Sequence, residues 1–213
     1  MNADTLIEKV QLVIQDSSFD EDMILGFLNK GLNEITGSID LPDLRVFATV
    51  DTSLTDNFVA MPSNYQRKCF AVVSVSDEVR VDKPGELYQY HRFIDRHPVA
   101  DTGSSVSDVA INGNTLFYDP IPDNAETLRV EYLRAPTTLV SGAEPEGIPT
   151  HLHESLLVPF AAKEIFNLIE DGVEGQKVNT QMNEGLYRRA MQELHQFIGY
   201  MDSEPNYIAD DFL

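Results

Sequence analysis

Cations are scarce in this sequence. Fifteen lysines and arginines face 35 aspartates and glutamates, a formal net charge of −20 over 213 residues. Binding a phosphate backbone requires neutralising cations, so a chain this acidic is repelled by nucleic acid at long range. Cysteine is nearly absent. Cys69 stands alone, which excludes an internal disulfide and fits a reducing compartment; its setting, Cys69-Phe70-Ala71-Val72-Val73, is that of a buried small hydrophobe. No apolar run approaches the ~20 residues of a membrane span. Asp4 and Glu8 stand where a secretory leader would be basic, so the expectation is a soluble chain made in the cytoplasm, with no membrane contact.

The motifs of catalysis are missing as well. Gly103, Gly113 and Gly142 are isolated turn glycines, and form neither a phosphate loop nor a dinucleotide fingerprint. No serine sits in a nucleophile elbow. His151 and His153, two apart near a helix start, point to different faces and suit capping or solvated roles. The acidic run Asp20-Glu21-Asp22 opens a helix, where carboxylates favour the positive end of the dipole; no ligands follow at the spacing of a cation loop. The expectation is a non-enzyme without metal or cofactor.

What the chain does contain is helical periodicity at both ends. The stretch from Ile148 to Ile198 reads as two long helices joined at Gly172–Gly175. The first is expected to open at Ile148-Pro149 with Thr150 as cap, and to bury Leu152, Leu156, Leu157, Phe160, Ala161, Ile165, Leu168 and Ile169. Pro159 falls inside it, so either the helix kinks there or 150–157 is a separate helix. The second carries Val178, Met182, Leu186, Ala190, Leu194, Phe197 and Ile198 at helical spacing, with Gly185 either admitting a close neighbour or merely tolerated. At the other end, Thr5–Glu8 and Ser18–Glu21 carry the capping-box pattern. The helices behind them are expected to bury Leu6, Val10, Val13 and Ile14, then Ile24, Leu28, Leu32 and Ile35, with Met23 and Phe27 beside them.

Between these ends the grammar changes to Val, Thr, Phe and Tyr punctuated by turns. Strands are expected at 45–52, 58–61, 68–76, 108–111, 115–118 and 128–134, with 79–81 a possible partner and 86–96 a short helix or irregular segment. Asn112-Gly113 between two apolar runs is a hairpin signal. The resulting fold class is α+β: a four-helix bundle built from N- and C-terminal helices, an inserted antiparallel β domain and an extended C-terminal tail. The segments are 1–44 (first helices), 45–137 (β-rich insertion), 138–199 (helical pair) and 200–213 (acidic tail). Net charge runs −7 over 1–44, −4 over 45–137 and −9 over 138–213, so nine of the fifteen cations lie in the insertion. Arg67, Lys68, Arg129 and Arg134 among them are candidate contacts between subunits of an acidic oligomer, or else part of an ordinary mixed surface. In the tail, Tyr207, Ile208, Phe212 and Leu213 exceed what a solubilising terminus needs; they either order on a partner or pack back on the bundle.

Taken in order, the layout resembles the head-to-tail adaptors (connector or head-completion proteins) of tailed bacteriophages. The resemblance rests on 110–122 (Ala-Ile-Asn-Gly-Asn-Thr-Leu-Phe-Tyr-Asp-Pro-Ile-Pro), 128–136 (Leu-Arg-Val-Glu-Tyr-Leu-Arg-Ala-Pro), the Met61-Pro62-Ser63-Asn64-Tyr65 turn and Ile148-Pro149. It implies a structural virion protein, assembled in the host cytoplasm. The protein would form a ring, commonly twelve-fold, under the portal, extending the DNA channel and offering a platform to tail or nozzle proteins. Duplex DNA would pass without specific binding along acidic walls. Residues 202–213, with Tyr207, Ile208, Phe212 and Leu213, would dock on the portal. The other reading from the residues is a non-viral soluble assembly or binding module without catalytic activity.

Overall fold

The computed structural model describes residues 1–75, 81, 89–171 and 177–203, with side chains to residue 199. The expected joint at 172–175, most of the strand at 79–81 and the tail anchors Tyr207, Ile208, Phe212 and Leu213 lie outside the described residues. The protein is α+β and divides into two compact units, Met1–Leu41 with Pro136–Leu213, and Pro42–Ala135.

The first unit is helical. Helix α1 spans Ala3–Ile14 and α2 spans Glu21–Ser38. A 3₁₀ turn at Thr150–Leu152 leads into α4, His153–Ile169, and α5 spans Val178–Ser203. Helix α4 packs against α1, α2 and α5, so helices from both ends of the sequence share one core. That core contains Leu6 and Val10, then Ile24, Leu28 and Ile35, then Leu156, Phe160 and Ile165, and Leu194. Gly31 of α2 meets Phe160 of α4 so closely that an added Cβ would lie 2.6 Å from the ring.

The helix starts differ from the capping-box expectation. Asn2 caps α1, its Oδ1 accepting from the Thr5 N–H at 3.1 Å and the Thr5 hydroxyl at 2.7 Å. Asp20 caps α2, accepting from Met23 N–H at 2.8 Å. Each true cap is itself an Asx residue, and the competing Thr5 donates its hydroxyl instead of accepting. Thr150 caps nothing and opens the 3₁₀ turn. Helix α4 runs through Pro159 as one element, so 150–157 is not a separate helix. Leu168 and Ile169, expected inside, are exposed, as are Val13 and Met23.

The face of α5 is also corrected. Its buried residues are Asn183, Tyr187, Ala190, Leu194 and Ile198. Val178 (59% exposed), Met182 (55%), Leu186 and Phe197 lie outside that core. The start of α5 is held by α4: the Glu170 carboxylate accepts from the N–H groups of Asn179 (3.1 Å) and Thr180 (3.2 Å) and from the Thr180 hydroxyl (2.7 Å).

The second unit is built on strands β1 (Arg45–Asp51), β2 (Phe58–Ala60), β3 (Tyr65–Ser74), β4 (Thr102–Gly103), β5 (Asp108–Asn112), β6 (Thr115–Asp119), β7 (Ile121–Pro122) and β8 (Thr127–Arg134). Helix α3 spans Tyr90–Arg96. One antiparallel sheet has the order β1-β8-β3 and another β2-β6-β5; β4 and β7 form a short parallel pair. Val50, Val72, Leu116, Tyr118, Leu128, Val130 and Tyr132 fill the core. The hairpin turn is Gly113-Asn114, because Asn112 pairs with Thr115. Only Gly113 has positive φ (58°), as a glycine-first two-residue turn needs. Tyr118, fully buried, accepts the Ser53 N–H at 2.5 Å and donates to the Asp56 carbonyl at 2.9 Å, pinning the β1–β2 loop.

Candidate functional site

Strand β1 reads Arg45-Val46-Phe47-Ala48-Thr49-Val50-Asp51. Its even positions, Val46, Ala48 and Val50, join the β core, so the pleat turns Arg45, Phe47, Thr49 and Asp51 the other way. The register sets Arg45 beside Leu133, Phe47 beside Glu131, Thr49 beside Arg129 and Asp51 beside Thr127. On the other side of β8, Ala71 pairs with Glu131 and Val73 with Arg129. One face of the sheet β1-β8-β3 therefore carries cations and apolar groups together.

Phe47 is 62% exposed on this face. The Arg129 guanidinium lies 5.4 Å from its ring centre, and the Arg45 guanidinium 4.2 Å from that of Phe70. Arg45 also pairs with Glu131. Each arginine thus lies over an aromatic ring, a cation–π contact that restrains the guanidinium. Val75, 47% exposed, follows β3 on from Val73. Among the described residues, Arg129 takes part in no ion pair.

The four cations singled out from the sequence are all on this sheet, in two places. Arg67 pairs in register with Leu133, and Arg134 with Tyr65, so both stand with Lys68 at one end. The register of β3 shifts repeatedly between Tyr65 and Ala71, and Lys68 has φ of 47°, a left-handed backbone that a lysine enters at a cost. Arg129 is five residues along β8 from Arg134, roughly 17 Å away at strand rise. Sequence reasoning counted Arg45 only as one of the nine cations of the insertion, and missed Phe47. The signal was present: in an amphipathic strand whose apolar positions are Val, Ala and Val, an aromatic residue in the polar register has no core to enter.

The ionisable groups elsewhere in this unit act as ties. His97, after α3, places Nδ1 2.8 Å from Asp119 Oδ2 and Nε2 3.8 Å from Asp108 Oδ2, with its ring 5.0 Å from that of Phe93. It fastens α3 to the β5–β6 hairpin. Glu126, buried, accepts from the Ser74 hydroxyl and from Val106 N–H at 2.9 Å, while its own N–H donates to Thr52 Oγ1 at 2.8 Å. Burial pushes the phenols of Tyr118 and Tyr132 above their ordinary range.

In the helical unit, His153 is buried rather than solvated, 2.8 Å from the Ile148 carbonyl through Nε2. Tyr187 packs edge-on against Phe160 at 5.3 Å; burial, with Glu34 nearby, raises its phenol far above the ordinary range. The α1–α2 turn is an open cleft of about 780 Å³ carrying Asp16, Asp20, Glu21 and Asp22. Among the described residues no three His, Cys, Asp or Glu side chains are grouped as a metal would need, and no helix is long and apolar enough to cross a membrane.

Compared with known proteins, residues 1–207 match the family model described as SU10 adaptor protein. No curated protein matches the chain.

Proposed function

We propose a function from one premise: the chain belongs to the SU10 adaptor family, a family of phage head-to-tail adaptors. It is a structural phage protein of the virion, and its work is assembly with portal and tail proteins; membership of such a family points away from catalysis. The family match carries this reading and favours it over a non-viral binding module.

The finer reading goes further. Copies of the chain form a ring, twelve-fold as is common for such adaptors, mounted under the portal. The ring extends the DNA channel and presents a platform to tail or nozzle proteins. The helical unit acts as a four-helix bundle around α4, with residues 45–137 as the β insertion. Tyr207, Ile208, Phe212 and Leu213 anchor the tail to the portal, and Arg67, Lys68, Arg129 and Arg134 contribute to contacts between subunits. The net charge of −20 supports a channel past which duplex DNA slides without adhering.

The test is loading onto portal-bearing heads that lack the protein. The full chain is expected to add a ring of density beneath the portal by electron microscopy. Deleting residues 202–213 should abolish loading and leave the fold intact by circular dichroism. Undiminished loading of the truncated chain places the docking surface elsewhere; failure of the full chain to load sinks the adaptor reading as a whole.

A further inference from the structure

We propose that the outward face of the β1-β8-β3 sheet, centred on Phe47 and Arg129, is a docking face for the acidic helical unit of a second copy of this chain. The inference rests on the assembly reading above and names one contact within it.

Three observations carry it. The face is unlike the rest of a strongly acidic protein. It presents Arg45 and Arg129 beside two carboxylates: Glu131, already paired with Arg45, and Asp51, which accepts from the Thr127 hydroxyl at 2.7 Å, so the face is balanced in charge where the chain as a whole is not. Arg129 has only the ring of Phe47 as its partner among the described residues. Second, the face is apolar as well as charged. Phe47 and Val75 are exposed, and aromatic residues and arginine are enriched at protein interfaces.

Third, the charge needed opposite is carried by the chain itself. Residues 42–135 contain nine cations and fourteen carboxylates; the remainder of the chain contains six and twenty-one, a net charge of −15. Copies of such a chain repel each other over most of their surface, and association is favoured where this face meets the helical unit. The densest acidity among the described residues is the α1–α2 turn with Asp16, Asp20, Glu21 and Asp22, which offers carboxylates at the rim of an open cleft. Contact between two different surfaces of one chain is heterologous, and such contacts close into rings when the rotation allows. Nucleic acid fits less well: a phosphate backbone offers no apolar surface to Phe47 and Val75.

Sedimentation velocity of the full chain over a range of concentration and salt tests this. The wild-type chain is expected to self-associate, less strongly as salt screens the charges. Arg129→Glu and Phe47→Ser should each weaken association about tenfold or more. Arg129→Gln serves in place of Arg129→Glu if circular dichroism shows the latter unfolded. The decisive arm mixes Arg129→Glu with a chain carrying Glu21→Lys and Asp22→Lys, which keeps the Asp20 cap of α2. Each alone should associate poorly. The mixture should recover, because the reversed charges meet. Association of folded Arg129→Glu and Phe47→Ser at wild-type strength overturns the face and leaves the ring reading standing. Duplex DNA binding that Arg129→Glu abolishes makes the face a nucleic-acid surface and overturns the proposal. A wild-type chain that stays monomeric in solution also overturns it; the ring reading then stands or falls on head loading.

Discussion

Gly31→Ala tests the packing of the helical unit most directly, because the same substitution five residues earlier should have the opposite sign. Replacing glycine by alanine inside a helix gains about 1 kcal/mol of propensity wherever the methyl group has room. At Gly26 it has room: nothing lies within 4 Å of the added Cβ. At Gly31 the added Cβ would lie 2.6 Å from Phe160 Cδ1 and 3.0 Å from Cγ, about 1 Å inside the optimal carbon–carbon separation of ~3.5–4.0 Å. Phe160 has nowhere to go. It is fully buried, edge-on to Tyr187 at 5.3 Å and beneath the Lys163 ammonium at 4.4 Å. Overpacking of this kind costs about 1–3 kcal/mol, and disturbing the aromatic pair adds up to ~1.5 kcal/mol. After the propensity gain, Gly31→Ala should lose roughly 0–3.5 kcal/mol, whereas Gly26→Ala should gain about 1 kcal/mol. Urea unfolding followed by ellipticity at 222 nm reads both. Adding Phe160→Leu to Gly31→Ala should cost less than the sum of the two single changes, since the smaller side chain relieves the contact. A Gly31→Ala chain stabilised as much as Gly26→Ala would refute the close approach of α2 to α4.

Three more outcomes follow from local geometry. Gln15 ends α1 with φ of 52° on an exposed site, so Gln15→Gly should raise stability by about 0.5–1 kcal/mol, read as a higher melting temperature. Tyr118→Phe deletes the hydroxyl that serves Ser53 and Asp56, and should cost about 1–3 kcal/mol of β-unit stability by denaturant titration. The Glu170 carboxyl is held below its ordinary range, chiefly by the Thr180 hydroxyl. A depressed carboxylate contributes stability above its unfolded value and loses it as pH falls through the folded one. The wild type should therefore lose helical stability on acidification below about pH 4.5. Glu170→Gln, already without the charged cap, should change less over the same interval in melts taken at each pH.

What the sequence made legible, and what it hid, divides along physical lines. Strand β8 alternates from Leu128 to Tyr132 and was placed to within a residue. Helix α2 buries the four residues its period names, since Ile24, Leu28, Leu32 and Ile35 have no rival stripe. Helix α5 does have a rival. Val178, Met182 and Leu186 outrank Asn183 and Tyr187 in hydropathy, yet Tyr187 fills the core beside Phe160 with Glu34 near its hydroxyl. A scale of transfer energies does not register a polar tip that finds a partner. Strand β3 was hidden at its start because repeated register shifts near Lys68 break the two-residue period. The docking face was half legible: Arg67, Lys68, Arg129 and Arg134 were chosen by charge alone, and only the register separates Arg129 from the others and joins it to Phe47.

The pairing of β1 with β8 reaches beyond the sheet. Arg45 and Leu133 stand opposite one another, so a segment of some ninety residues begins and ends about 5 Å apart. For the search by which α1 and α2 find α4, that segment is a loop. Closing it as a flexible chain would cost entropy that grows with its length. Once β1 and β8 have paired, the loop is already closed, and the four helices meet as though joined by a short turn. Mutations that delay β1–β8 pairing should therefore slow the appearance of helical packing in refolding, even where they touch no helix. Grafting a tight turn between Leu41 and Pro136 should leave an autonomous helical protein that folds faster than its parent.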